Sequence, residues 1–533
     1  MSTQSQAQFY SSLKKYYSFY TGGFIAFIII VAILEQMGVP NKILGYIFLA
    51  ATVALYAGIG IMSKTADVSE YYVAGRRVPA LFNGMATGAD WMSAASFIGM
   101  AGTLYLSGYD GLAFVLGWTG GYCLVALLLA PYLRKFGQFT IPDFLGARYG
   151  GNIPRSIGVF AAILCSFTYV IAQIYGVGLI TSRFTGLEFS IGVFAGLAGI
   201  LVCSFLGGMK AVTWTQVAQY IILIVAYMIP VVWLSVKHTN VPVPQVAYGY
   251  VLEKVSAREK VLNDPSTPDG AKEAEVRAIF KQRQEAAEGK LKALETGGAA
   301  YLAEEKAKLE KSLADLNASS AKDEKAIAAA EKAVKDYPAD AAAAKKAWTA
   351  AANGAKAKAA PIAAHAEPFA GKDDAARDKK RKNFLALVLC LMVGTAALPH
   401  ILMRYYTTPS VKEARQSVFW SLFFIFLLYF TAPALAVLAK FDVYTLLVGS
   451  NFSELPSWVG AWAAVDKTLM SVTDINMDGI VQLAEITIGG DLIVLATPEI
   501  AGLPYVITGL VAAGGLAAAL STADGLLLTI ANA

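Results

Sequence analysis

Gly84-Met-Ala-Thr-Gly88-Ala-Asp90-Trp-Met-Ser93-Ala-Ala-Ser96 is the stretch that decides the fold. It lies inside an apolar run, 80–106, long enough to cross a hydrocarbon core of about 30 Å as a helix. Gly, Ala and Ser dominate it, and small residues let neighbouring helices approach closely. One carboxylate, Asp90, falls at mid-membrane depth. An acid there is costly, so it marks an ion or solute path, or it is held by a hydrogen bond from a neighbouring span in a packing seam.

Outward from this stretch, nine further runs are long and apolar enough to span: 17–36, 43–63, 110–133, 156–182, 187–206, 212–236, 384–404, 416–438 and 503–530. The 533 residues are 56% hydrophobic and 16% charged, with mean hydropathy +0.51. Soluble domains carry about 25% charged residues, so the composition excludes an ordinary soluble enzyme and indicates an all-α polytopic membrane protein. The segment 237–383 holds 27 of the 44 Lys/Arg and 22 of the 39 Asp/Glu, which accounts for the whole net charge of +5. No basic surface for nucleic acid remains; the partner of the rest is the lipid bilayer.

Short basic loops orient the chain. Lys14 and Lys15, Arg76 and Arg77, Arg134, Lys135, Arg148 and Arg155, and Arg404, Lys412 and Arg415 all share one side if the ten spans alternate. The N-terminus is then cytoplasmic, and the segments 237–383 and 439–502 lie outside. The insert 237–383 is rich in Ala, Lys and Glu, broken at Gly297-Gly298, Asn317 and Pro338. It reads as helical hairpins, with Leu302, Leu309 and Leu316 at coiled-coil spacing, or as a solvated, partly disordered insertion. The four cysteines, in apolar runs without ligand spacing, read as buried inert thiols. The apolar end of the chain, 511–533, has no polar tail and reads as a C-terminal truncation.

The tenth span carries Ala518-Ala-Leu-Ser521-Thr522-Ala-Asp524. Adjacent hydroxyls in such a helix bond to their own carbonyls one turn back, or serve a dehydrated hard cation, which takes oxygen ligands.

Four motifs together are specific: Gly88-Ala-Asp90-Trp-Met-Ser-Ala-Ala-Ser-Phe-Ile-Gly99, Ser107-Gly-Tyr-Asp-Gly-Leu112, Tyr169-Val-Ile-Ala-Gln173 and Gly394-Thr-Ala-Ala-Leu-Pro-His400-Ile-Leu-Met-Arg404. With Tyr71-Tyr-Val-Ala-Gly-Arg76, they resemble the sodium/solute symporter family, and within it the cation/acetate permease branch. The resemblance covers 43–236 and 384–533 and implies a LeuT-like core of two inverted five-helix repeats in a bacterial-type inner membrane. On that pattern 1–79 holds two preceding helices and a cytoplasmic loop. The first repeat is 80–236, and 384–533 carries the first three helices of a second, incomplete repeat.

The resemblance also implies a sodium site. Its ligands are the backbone carbonyls of Ala89 and Met92 in an unwound part of the third span, the Ala518 carbonyl, and the hydroxyls of Ser521 and Thr522. This Ala-x-x-Ser-Thr pattern is similar to the sodium/proline symporters, whereas the acetate permease lacks the Ser-Thr pair. Asp90 stands one position before the essential aspartate of the proline symporters. Asp90, Ser93, Gln173, Thr395 and His400 are polar groups placed to line the solute path, each alternatively a helix-packing hydrogen bond.

Independently, Asp474-Ile-Asn476-Met-Asp478-Gly479-Ile480-Val481-Gln482-Leu-Ala-Glu485 fits the twelve-residue calcium loop. Oxygens fall at positions 1, 3, 5, 7, 9 and 12, from Asp474, Asn476, Asp478, the Ile480 carbonyl, Gln482 and Glu485, with glycine at the sharp turn. A structural Ca²⁺ outside the membrane is expected, or else a decayed acidic loop.

The function expected is import of a small organic solute, acetate or another short monocarboxylate, with Na⁺ as coupling ion and no enzymatic step. A small membrane subunit is a further expected partner. The alternatives are a symporter for a different solute such as an amino acid, and a transporter-like receptor that binds solute without moving it.

Overall fold

The computed structural model describes residues 3–318 and 324–533. Its membrane part is helical. In chain order come α1 (Thr3–Gln36), α2 (Asn41–Met62), α3 (Ala80–Trp91), α4 (Met100–Ser107), α5 (Leu112–Leu124), α6 (Asn152–Thr185) and α7 (Phe189–Thr239). The insert contributes α8 (Pro244–Asn263), α9 (Pro268–Ala318), α10 (Glu324–Lys335) and α11 (Ala341–Ala359). The membrane part resumes with α12 (Asp374–Ala396), α13 (Pro399–Met403), α14 (Val411–Tyr429), α15 (Ala432–Leu446), α16 (Ile493–Ile500) and α17 (Tyr505–Asn532).

Among the described residues seven helical stretches are long and apolar enough to cross a membrane, or eight when α12 is joined to Pro399–Thr407 across a 44° bend. The sequence gives ten runs, and the difference lies at two glycines. The stretch Ala95–Phe136 is 42 residues, about 63 Å at 1.5 Å per residue, and α7 is 51 residues, about 77 Å. Each is twice what a bilayer needs, and each is divided by a glycine in the left-handed region, Gly108 (φ 56°) and Gly208 (φ 52°). Neither position has room for a side chain. A Cβ on Gly108 would run into the His365 carbonyl, and one on Gly208 would lie 2.6 Å from the Tyr71 carbonyl oxygen.

The last helix is the centre of the bundle. α17 is almost wholly enclosed, packed by α6, α7, α2 and α3, whereas α1 is almost bare. Small residues let it pack this closely: Ala512–Ala513, Gly514–Gly515 and Ala517–Ala519 face neighbours on every side. The cysteines depart from the expected burial. Cys165 and Cys390 are exposed on α6 and α12 and Cys123 is half-buried; the Cys203 side chain lies outside the described residues. An apolar run in a membrane helix has a lipid-facing side, so apolar neighbours in sequence do not imply a protein interior.

The insert is a helical hairpin whose α9 and α11 pack through Leu294, Leu302, Ala344 and Trp348. Of the heptad leucines only Leu302 is buried; Leu309 and Leu316 are half-buried, because Trp348 and Ala344 rather than a second leucine row fill the seam. The hairpin is fastened to the membrane helices by buried polar contacts. Glu259 accepts from the His365 backbone N–H (3.0 Å) and pairs with Lys440 on α15 at 3.7 Å, with both side chains under 10% exposed. Within the membrane part, Asp442 on α15 pairs with Lys237 at the end of α7 (2.9 Å), and His238 Nε2 lies 2.7 Å from it. The His365 carbonyl accepts from the Tyr109 N–H at 2.9 Å, just beyond the end of α4. Burial pushes the Glu259 carboxyl up, opposed by the His365 N–H and the Lys440 charge. Burial also pushes the His365 imidazole down to about 3, with Lys440 adding to it, so the ring is neutral.

Two short strands, β1 (Met470–Val472) and β2 (Ile486–Ile488), pair antiparallel and close the loop 474–485 between them. Gly490, just beyond β2, lies against Gly102 on α4, backbone on backbone.

Candidate functional site

Two helices break in mid-course, and they do so at corresponding places. The first break follows α3: Met92 leaves the helical region (φ −80°, ψ 68°) before the chain turns back into helix at Ala95. The second follows α12, where Leu398 is extended (φ −62°, ψ 116°) and Pro399 starts α13. Irregular backbone at membrane depth is tolerated only where protein or a cavity satisfies it, and paired interruptions of this kind mark the binding region of inverted-repeat transporters.

At the first break α17 supplies oxygens. Ser521 Oγ donates to the Ala89 carbonyl at 2.8 Å and lies 3.0 Å from the Ala518 carbonyl. Thr522 Oγ1 donates to the Asp90 carbonyl at 2.9 Å and lies 3.3 Å from that of Ala518. All are fully buried. The structure therefore brings together four of the five residues expected around sodium: Ala89, Ala518, Ser521 and Thr522. The Thr522 hydroxyl meets the Asp90 carbonyl rather than that of Met92, which lies past the last helical turn.

The solute-path residues divide. Gln173 Oε1 accepts from the Ala94 N–H at 2.9 Å, capping the helix that restarts after the break, while its Nε2 is buried without a partner. Ser93 Oγ and His400 Nδ1 are also buried and unpartnered. Ser93 faces the Tyr169 hydroxyl without reaching hydrogen-bond geometry, and the His400 ring packs on Tyr169 at 5.9 Å. Ser93, Gln173 and His400 thus gather around the two breaks. Thr395 is spent elsewhere: Oγ1 donates to the Leu391 carbonyl at 2.6 Å and sits against Gly121.

Asp90 has a partner that was missed from sequence. Arg404 Nε donates to Asp90 Oδ2 at 3.0 Å, and both side chains are fully buried. The guanidinium also donates to Thr213 Oγ1 (3.1 Å) and to Gln216 Oε1, and Gln216 Nε2 donates to the Ser521 carbonyl at 2.7 Å. Its position corrects its use as a loop charge in orienting the chain, a role that only Lys412 and Arg415 keep after this span. The usable signal was an arginine five residues after a proline inside an apolar run, too deep for a loop. Asn83, holding the Arg404 carbonyl (3.3 Å) and Ser417 (2.8 Å), was likewise unmarked.

The sequence profile of the sodium:solute symporter family matches residues 71–264. An uncharacterized symporter of Cupriavidus necator is 53% identical over 537 residues, spanning 99% of this chain and 77% of that protein. The chain belongs to the sodium:solute symporter family. The symporter is also similar, with TM-score 0.49 and 14% identity over 91% of its length and 72% of the other chain, to a solved Na⁺-coupled sialic acid symporter in its substrate-bound, outward-open state.

In the symporter's loop 474–485, the side chains already cradle the turn. Asp474 Oδ2 accepts from the Gly479 N–H (3.1 Å), and Glu485 accepts from the N–H groups of Ile475 and Gln482 (2.5 and 3.0 Å). Asp478, however, is drawn to Lys272 of the insert at 3.0 Å, and Gln482 Nε2 donates to it. Among the described residues no group of three or more His, Cys, Asp or Glu is gathered closely enough to hold a metal. Asn476 donates nothing to the others, and the Ile480 N–H is tied back to Asp478. The ligand types fit Ca²⁺, with Lys272 in competition for Asp478.

Proposed function

We propose that this symporter moves a short monocarboxylate, acetate or a close analogue, together with one Na⁺ into the cell. The observation that carries the sodium part is the meeting of the Ser521 and Thr522 hydroxyls with carbonyls of Ala89, Asp90 and Ala518 in a buried break. In this reading the Met92 carbonyl completes the shell, and the insert and loop 474–485 face the extracytoplasmic side. The solute reading is supported by the buried, unpaired N–H of Gln173 and hydroxyl of Ser93 beside His400. Buried donors without acceptors are costly, and a carboxylate is acceptor-only.

The test is uptake of labelled acetate, lactate, pyruvate and proline by the full-length symporter in proteoliposomes, with and without a Na⁺ gradient. One charge crossing 100 mV is worth about 2.3 kcal/mol, but a monocarboxylate with one Na⁺ carries no net charge. Acetate uptake is therefore expected to need Na⁺ and to draw no inward current. A robust current on adding acetate overturns the one-to-one reading, and Na⁺-independent uptake overturns the coupling.

Loop 474–485 is expected to bind Ca²⁺ with Kd about 10⁻⁴–10⁻³ M, as isolated extracellular loops do. Glu485→Gln removes the bidentate closure and weakens binding, whereas Lys272→Gln frees Asp478 and strengthens it. Calorimetric titration of the full chain with Ca²⁺ and Mg²⁺ decides; an equal response to both, or none at millimolar Ca²⁺, leaves the loop a linker.

A further inference from the structure

We infer that Asp90 belongs to a second cation site, and that its occupant is the protein's own Arg404. Three side-chain oxygens from two helices converge on the guanidinium: Asp90 Oδ2 from α3, with Thr213 Oγ1 and Gln216 Oε1 from α7. All three residues and Arg404 are fully buried. One carboxylate and two neutral oxygens in a buried site are the ligand set of a hard monovalent cation, and here a tethered charge fills it.

The site is built tightly. A Cβ on Gly525 of α17 would lie 2.6 Å from Asp90 Oδ1 and 2.9 Å from Oδ2, so glycine there is what lets the carboxylate stay. Asp90 Oδ1 is buried with no hydrogen-bond partner, which leaves one carboxylate oxygen held only by charge. The site also touches the sodium oxygens proposed above without sharing a side chain. Gln216 holds the Ser521 carbonyl, and the Asp90 carbonyl meets Thr522. Arg404 therefore does two things. It neutralises an intramembrane acid without a second Na⁺, and through Gln216 it fixes the helix that carries the Ser521 and Thr522 hydroxyls. As a fixed cation it never leaves during the cycle, and so it sets the number of sodium ions carried per solute.

This rests on the sodium reading above, and the experiment separates the two. Equilibrium ²²Na⁺ binding is measured on the purified full chain without solute, so solute identity does not enter. The original chain is expected to bind one Na⁺. Arg404→Gln removes the tethered charge and leaves an amide oxygen in the cage; it is expected to bind two. Asp90→Asn/Arg404→Gln removes both charges and is expected to bind one again, with Na⁺ affinity about tenfold weaker because the Gln216 strut is lost. If Arg404→Gln does not accumulate, the double variant decides, since it leaves no buried charge unpaired: folded protein binding one Na⁺ supports the site, and failure of both variants to accumulate overturns it. One Na⁺ in the original chain and one in Arg404→Gln, at the same affinity, overturns this inference alone. No Na⁺ bound by the original chain overturns the sodium reading and this inference with it.

Discussion

Gly102→Ala is expected to stop solute uptake almost completely while leaving the protein folded. A Cβ at this position would lie 2.6 Å from Gly490 Cα and closer still to its carbonyl. Both sides of the contact are backbone, so no side chain can rotate away. Overpacking of this kind costs about 1–3 kcal/mol and sometimes more, and at the upper end it lowers the population of the arrangement roughly a hundredfold. The segment beyond β2 and α4 would then stay apart, so the cycle stalls with the insert side open. Gly460→Ala is the control, since its added methyl meets nothing within 4 Å. Uptake by Gly102→Ala equal to that control shows that the two backbones never need to touch.

The second large effect is expected at α17. Ser521 and Thr522 each bridge two carbonyls. A hydrogen bond or ligand to a charged group is worth roughly 1.5–3 kcal/mol, so Thr522→Ala should weaken apparent Na⁺ affinity about tenfold to a hundredfold. The Ser521→Ala/Thr522→Ala pair should weaken it further, and less than additively, because both hydroxyls share the Ala518 carbonyl. Na⁺-dependent uptake is the readout, and an unchanged Na⁺ dependence in the double variant removes these residues from the site.

Much of this was legible because it is local. The small residues around Asp90 announce a close-packed helix, and the run from Ala518 to Thr522 places three oxygens within two turns. The break at Met92 follows from the motif that carries it. What stayed hidden is contact across long separations. Arg404 is 314 residues from Asp90, and a window average makes it the last residue of an apolar run rather than the far half of an ion pair. The apolar runs already part at Gly108 and Gly208, but what makes each break was invisible: hydropathy reports length, while the His365 and Tyr71 carbonyls press on each glycine. Thr395 shows the opposite error. A hydroxyl near a break reads as a ligand, yet its nearest acceptor is always its own helix one turn back.

The insert's attachment has a mechanical consequence. Glu259 clamps it to α15 through Lys440, and His365 ties it to the chain just beyond α4, the helix that follows the first break. The portion of α9 before the Gly298 kink is thirty residues, about 45 Å of stiff rod. If those membrane helices tilt by about 10°, the far end of such a rod sweeps roughly 8 Å. The charged hairpin is thus a pointer, converting sub-nanometre rearrangements inside the bilayer into displacements that a pair of fluorophores on its tip and on the bundle can follow in real time.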